Sequence, residues 1–122
     1  MAVEQRLLTY GLSTSADLSP YQFCAVTFGA SGLALATAGK NMDGVLQDKP
    51  NGSGQAGSVA LFGISKVLSG GTGFAAGDNL EVATNGAFQT QSTGTIVAKA
   101  VIAAAAGAIG AAMILKSNAA FA

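Results

Sequence analysis

Residues 44–68 read GVLQDKPNGSGQAGSVALFGISKVL, and their pattern decides the fold. A short apolar run, Val45-Leu46, meets a polar loop that opens with Asp48-Lys49-Pro50 and continues through Asn51-Gly52-Ser53-Gly54. Pro50 has no N–H to give to a sheet ladder, and glycine takes positive φ without a steric penalty, so the loop reads as a turn between two strands. Residues 58–68 follow as one apolar strand with Gly63 inside it. Val59 and Leu61 fall on one face, and Ala60, Phe62 and Ile64 on the other. Such a strand is expected to be buried on both sides, or to hold one face against a partner.

The same grammar extends in both directions. Upstream, Ser19-Pro20 marks a turn or the start of a strand. Residues 21–28, rich in aromatics and Val, read as a strand. The tight Gly29-Ala30-Ser31-Gly32 connection and the alternation of Leu33 and Leu35 with Ala34 and Ala36 predict a hairpin. Downstream of a Gly-rich stretch, residues 79–83 alternate cleanly, with Leu80 and Val82 expected inward and Glu81 outward. Asn85-Gly86 is a strong two-residue hairpin signal. Residues 95–102 read as a further strand, with Ile96, Ala98, Ala100 and Ile102 on one face and Lys99 on the other. Residues 103–112 are contested: Ala is the best helix former, whereas Gly107, Gly110 and the β context on both sides oppose a helix. No internal repeat is evident. Residues 1–19 lack a core-like period and read as an extended arm whose apolar points are Leu7, Leu8 and Tyr10. Residues 20–117 read as a single β domain, and 118–122 as a loose tail that Phe121 could anchor.

Composition narrows the function. The 122 residues suit one domain, and only 10% of them are charged, against roughly 25% in an ordinary soluble domain. Half the chain is apolar, but much of that is Ala, which buries little area, so the core is expected to be thin. Few surface charges over a thin core favour a chain covered by neighbours. Formal net charge is zero, and Arg6, Lys40, Lys49, Lys66, Lys99 and Lys116 are scattered singly, which argues against nucleic acid as a partner. The N-terminal MAVEQRLLTYGL carries Glu4 and Arg6 and has no secretory apolar core. The apolar stretch 101–115 is shorter than the roughly 20 residues of a membrane helix and holds two glycines, so no membrane association is expected.

Little in the chain carries chemistry. Without His there is no His-based triad, metal ligand or acid–base group, and the lone Cys24 cannot build a zinc site or an internal disulfide. Cys24 lies in the apolar run of residues 23–26 and reads as a small core residue. The carboxylates Glu4, Asp17, Asp43, Asp48, Asp78 and Glu81 read as solvated surface groups. Gly71-Thr72-Gly73-Phe74-Ala75-Ala76-Gly77 has the wrong spacing for a dinucleotide fingerprint and lacks a βαβ setting. In Asp48-Lys49-Pro50 the aspartate is expected to support the backbone of its own turn. No catalysis, cofactor or metal is expected.

The ordered set of segments resembles the capsid cement, or decoration, proteins of tailed bacteriophages. It comprises GVLQ-K-P in residues 44–50, VAL-GISKV in 59–67, AGD at Ala76-Gly77-Asp78, NLEVATNGAF in 79–88 and, upstream, SADLSPYQFCAVTF in 15–28. The resemblance covers nearly the whole chain. It implies an all-β fold, a compact small barrel or sandwich of short, mostly antiparallel strands, and it resolves residues 103–112 as a loop returning to a final strand at 112–116. It further implies a structural virion protein made in the host cytoplasm. Such a protein docks on the outer capsid surface, commonly as a homotrimer, and bridges neighbouring major capsid proteins. Leu7, Leu8 and Tyr10 are then the candidate contacts to the capsid or to neighbouring copies. The rival readings are an Ala-rich helical coat, fibre or membrane-associated subunit, and a small non-catalytic binding domain.

Overall fold

The run that reads as one strand from residue 58 to 68 is broken in the middle. Gly63 takes φ 109°, which residues bearing a side chain rarely adopt, and there the chain leaves one sheet for another. The computed structural model describes residues 8–14, 16–30, 32–50, 52 and 54–115. Its strands are β1 (Leu8–Ser13), β2 (Ala25–Gly29), β3 (Gly32–Leu35), β4 (Gly44–Leu46) and β5 (Ala56–Phe62), then β6 (Ile64–Leu68), β7 (Asn79–Val82), β8 (Phe88–Thr90), β9 (Ala98–Ile102) and β10 (Ile109–Ile114). Single 3-10 turns occur at Ser19–Tyr21 and Thr84–Gly86, and no α-helix occurs among the described residues. No helix there is long and apolar enough to cross a membrane. The all-β expectation therefore holds, and residues 103–112 run through a loop into β10, which begins at Ile109, earlier than the sequence suggested.

Two five-stranded sheets form, ordered β1-β5-β4-β2-β3 and β6-β10-β9-β7-β8, with every ladder antiparallel. Adding five to each strand number converts the first order into the second, so the chain is a tandem repeat that its sequence conceals. The register agrees in detail. Val59 stands opposite Tyr10 and Leu46, and Ala112 stands opposite Ser65 and Ala100. Neither sheet closes into a barrel; its outer strands meet through one parallel bridge, Thr14–Leu33 in the first repeat and Ser69–Phe88 in the second. Loop bonds match too: Leu18 N–H donates to the Pro50 carbonyl and Phe74 N–H to that of Ala104, both at 2.9 Å.

Alternation assigns the core. In the first repeat Val26, Leu33, Leu46 and Val59 pack with Leu18 in one cluster, with Leu12 against it. Their neighbours Ala25, Val45 and Ala60 face the other way and join the second repeat. The middle of the first sheet is thus buried on both faces, one of the two arrangements the apolar pattern of residues 59–64 allowed, while Phe62 at the end of β5 is 50% exposed. In the second repeat the equivalent inner positions are Val67, Phe74, Leu80, Phe88, Ala100 and Ala112. Where the first repeat has Leu18 and Leu33 the second has two larger Phe rings, and where it has Leu46 and Val59 the second has Ala. Total volume is roughly conserved, the kind of exchange a core accepts at small cost.

The 1–19 segment contributes β1, an edge strand that runs along β5 from Ser13 opposite Ala56 to Leu8 opposite Phe62. Thr14 seals its end, with its N–H on the Gln55 carbonyl and its hydroxyl on that of Gly52, both at 2.9 Å. The strand read over residues 21–28 begins only at Ala25, because Tyr21 closes a 3-10 turn and Phe23 takes φ 68°. That conformation costs an aromatic residue on the order of 1–3 kcal/mol. It is held because Phe23 N–H donates to the Leu46 carbonyl and its own carbonyl accepts Leu68 N–H, joining β4 of one sheet to β6 of the other.

Gly57 and Gly110 occupy equivalent, buried positions opposite Leu12 and Val67. A Cβ at Gly110 would lie 2.5 Å from the Ile102 carbonyl oxygen and 3.0 Å from the Phe74 ring. Gly110→Ala is therefore expected to destabilise the chain by about 1–3 kcal/mol. Thermal or denaturant unfolding of the variant measures this, and an unchanged midpoint would contradict the packing described.

Candidate interaction surfaces

The groups that could carry chemistry are occupied with structure. Cys24 is buried, and burial pushes its thiol up to about 11, away from thiolate character. No group of three metal-ligating side chains occurs among the described residues. Asp17 accepts the Ser19 N–H, and Asp78 accepts the Ala75 N–H and the Thr90 hydroxyl; these bonds hold both carboxyls below their ordinary range. Asp48 accepts the Ser58 N–H at 3.0 Å, so it ties the far side of the loop, in β5, rather than the backbone of its own turn as expected. Gln47, beside it, reaches the other repeat and donates to the Ser65 hydroxyl at 2.9 Å.

Glu81 corrects the sequence reading. It was expected outward and solvated, and it is 5% exposed. Its carboxylate accepts the Gln89 amide at 2.6 Å, Gly94 N–H at 2.7 Å and Ser92 N–H at 3.3 Å, which pins the loop between β8 and β9. Burial pushes its carboxyl up, but these donors outweigh burial and leave it below the usual carboxylate range. Gly94 makes the approach possible, since a Cβ there would sit 2.5 Å from the carboxylate. Alternation alone assigned the face correctly; the missing signal was the donor set carried by a later loop.

What the surface does offer is apolar. Val101, Ile102, Ile109 and Met113 are between 40% and 54% exposed. Ile109 and Met113 alternate with the inward Gly110, Ala112 and Ile114 along β10, on the outer face of the second sheet. Ile102 was expected to share the inward face of Ala98 and Ala100. A register shift between Ala111 and Ala112 puts Ile102 opposite Ala111 instead, on the outer face. Lys99 stands opposite Met113, and Lys66 lies across the Phe23 ring at 5.8 Å. In the first repeat Phe28 is 42% exposed, at the end of β2. Of the contacts expected from sequence, Leu7 lies outside the described residues, as do Lys116 and residues 118–122. Leu8 and Tyr10 stand in β1 opposite Phe62 and Val59. The structure gathers the β9–β10 residues into one patch, which sequence reasoning did not nominate.

No known family model and no curated protein matches the sequence. Among solved structures, the crystal structure of the head fiber gp8.5 N base of bacteriophage phi29 is similar. It shares 18% identity with a TM-score of 0.72, over 92% of this chain and 97% of that one. At that identity the likeness establishes a shared fold.

The Glu81 carboxyl sets a pH dependence. Its folded pKa lies below its unfolded value near 4.3, so its contribution is present above that value and is lost as pH falls through the folded pKa. Asp17 and Asp78 act in the same direction. Melting temperature is expected to fall as pH drops below about 4.5. Glu81→Gln should lose about 1–3 kcal/mol at neutral pH and show a weaker acid dependence, because it strands donors that a carboxylate satisfied. Parallel acid profiles in the two proteins would refute the assignment.

Proposed function

We propose that this chain is a structural protein of a tailed-phage virion that decorates the outer surface of the head. The observation that carries the reading is the fold it shares, across nearly its whole length, with the phi29 head fiber N base. A shared fold supports a shared role by analogy. The resemblance of its ordered segments to capsid cement proteins points to the same place by an independent route. In this reading the protein bridges neighbouring major capsid proteins, commonly as a trimer, and carries out no reaction. The thin core, the scarcity of charge and the exposed apolar residues suit a protein that spends its working life covered. Leu7, Leu8 and Tyr10 are the contacts proposed to meet the capsid or a neighbouring copy. Many weak contacts on a fixed lattice bind with high avidity, so no single residue need dominate. The Ala-rich helical coat or membrane subunit is set aside, because residues 98–102 and 109–114 are paired strands.

The test is particle association. Phage particles from a lysate expressing the chain are purified by sedimentation and their proteins quantified. The chain is expected in the particle fraction in multiple copies per head, and added back it should restore heads that lack it. A chain found only in the soluble fraction, and unable to bind such heads, would overturn the proposal.

A further inference from the structure

The two repeats meet unequally. The outer face of the first repeat, Ala25, Val45 and Ala60, packs into the open end of the second, where Val82, Val97, Ala98 and Ile114 receive it in one cluster. Contacts continue in the backbone: Ile114 N–H donates to the Gly63 carbonyl at 2.9 Å and Gly39 N–H to that of Val82 at 2.8 Å. This interface is heterologous, with a different surface on each side. A repeated unit joined in that way leaves one surface of each kind unused.

Both unused surfaces are identifiable by register. The position of Val82, which pairs with Phe88, belongs to Phe28 in the first repeat, which pairs with Leu33. Val82 is 0% exposed and Phe28 is 42%. Ile114 corresponds to Leu61, which is half-buried against the first core. Ser65 corresponds to Tyr10, since they stand opposite the equivalent Ala112 and Val59. On the other side, Ala60 corresponds to Met113 and Val45 to Lys99. Ala60 is 0% exposed and Met113 is 40%. The open end of the first repeat and the outer face of the second are therefore a socket and a plug of the kind already joined inside the chain.

Charge supports a match between them. Within the chain, Val45 and Val97 belong to the shared cluster. Their counterparts are Lys99 and Asp43, because Val97 N–H donates to the Leu80 carbonyl as Asp43 N–H donates to that of Val26. A basic group on the plug would thus approach an acidic group on the socket, one whose carboxylate also accepts the Phe28 N–H at 2.8 Å. Opposite charges at an apolar contact fix register and partner.

We infer that the open end of the first repeat, at Phe28 and Leu61, is filled by the outer face of the second repeat of another copy, at Lys99 and Met113. Copies associate head to tail by the mode that joins the two repeats. The inference does not rest on the virion reading, and its test contains no particle, so either can fail alone. Sedimentation of the purified chain over a wide concentration range is expected to show self-association. Phe28→Asp on the socket and Met113→Asp on the plug should each weaken it at least tenfold. Mixed in equal amounts, the two variants retain one intact interface per pair and should form a 1:1 dimer that stops there, because the remaining socket and plug are both disabled. Both sites are exposed, and thermal melts check folding; Phe28→Ser and Lys99→Glu serve where a first variant fails. A wild-type chain that stays monomeric, single variants that associate normally, or a mixture that stays monomeric would each overturn the inference.

Discussion

The structure depends on small side chains at the contact between the repeats. Ala25, Ala36, Val45 and Ala60 present a shallow face, and Ala98 lines the surface that receives it. Small residues let two sheets approach closely, and the area each contributes is modest, so the contact works only because it is continuous. Burying Val45 and Ala60 on one face while Leu46 and Val59 fill the other draws core from both sides of the same strands. In this way a chain poor in large apolar residues acquires two clusters rather than one.

The fold class was legible because its signals are local. Pro50 and the glycines around it ended strands where expected. Asn85 and Gly86 both take positive φ, 61° and 78°, which is what their hairpin signal implies. The Ala-rich stretch became a loop running into β10, against its helix propensity, because Gly110 must lie close to Phe74 and the Ile102 carbonyl, a demand of tertiary packing. The break at Gly63 was not legible. A glycine within an apolar run has the same appearance whether it bends a strand or ends it.

The repeat was hidden by compensation. Exchanging Leu18 and Leu33 for Phe74 and Phe88, with Leu46 and Val59 exchanged for Ala100 and Ala112, preserves filling while erasing identity. Gly54 with Gly107 and Gly57 with Gly110 are matching residues, and such pairs are no signal in a chain with seventeen glycines. The interaction surfaces were illegible for a related reason. Lys99 apart, inward and outward residues of β9 and β10 are alike in polarity, so hydrophobicity alone could not separate them, and the register shift moved Ile102 from one face to the other. Glu81 failed in the opposite sense, a charged residue made internal by donors from Ser92 and Gly94 in a later loop.

The unequal contact also gives the two halves different degrees of independence. The cluster around Leu18 and Leu46 draws every member from residues preceding Gly63, so the N-terminal half can assemble this cluster without the rest of the chain. The other cluster includes Ala25, Val45 and Ala60, so the C-terminal half lacks part of its interior until the first half is in place. Synthesis delivers the pieces in the order this requires. The first half holds its inner cluster on its own, while its outer face at Ala25, Val45 and Ala60 is covered only by the chain beyond Gly63.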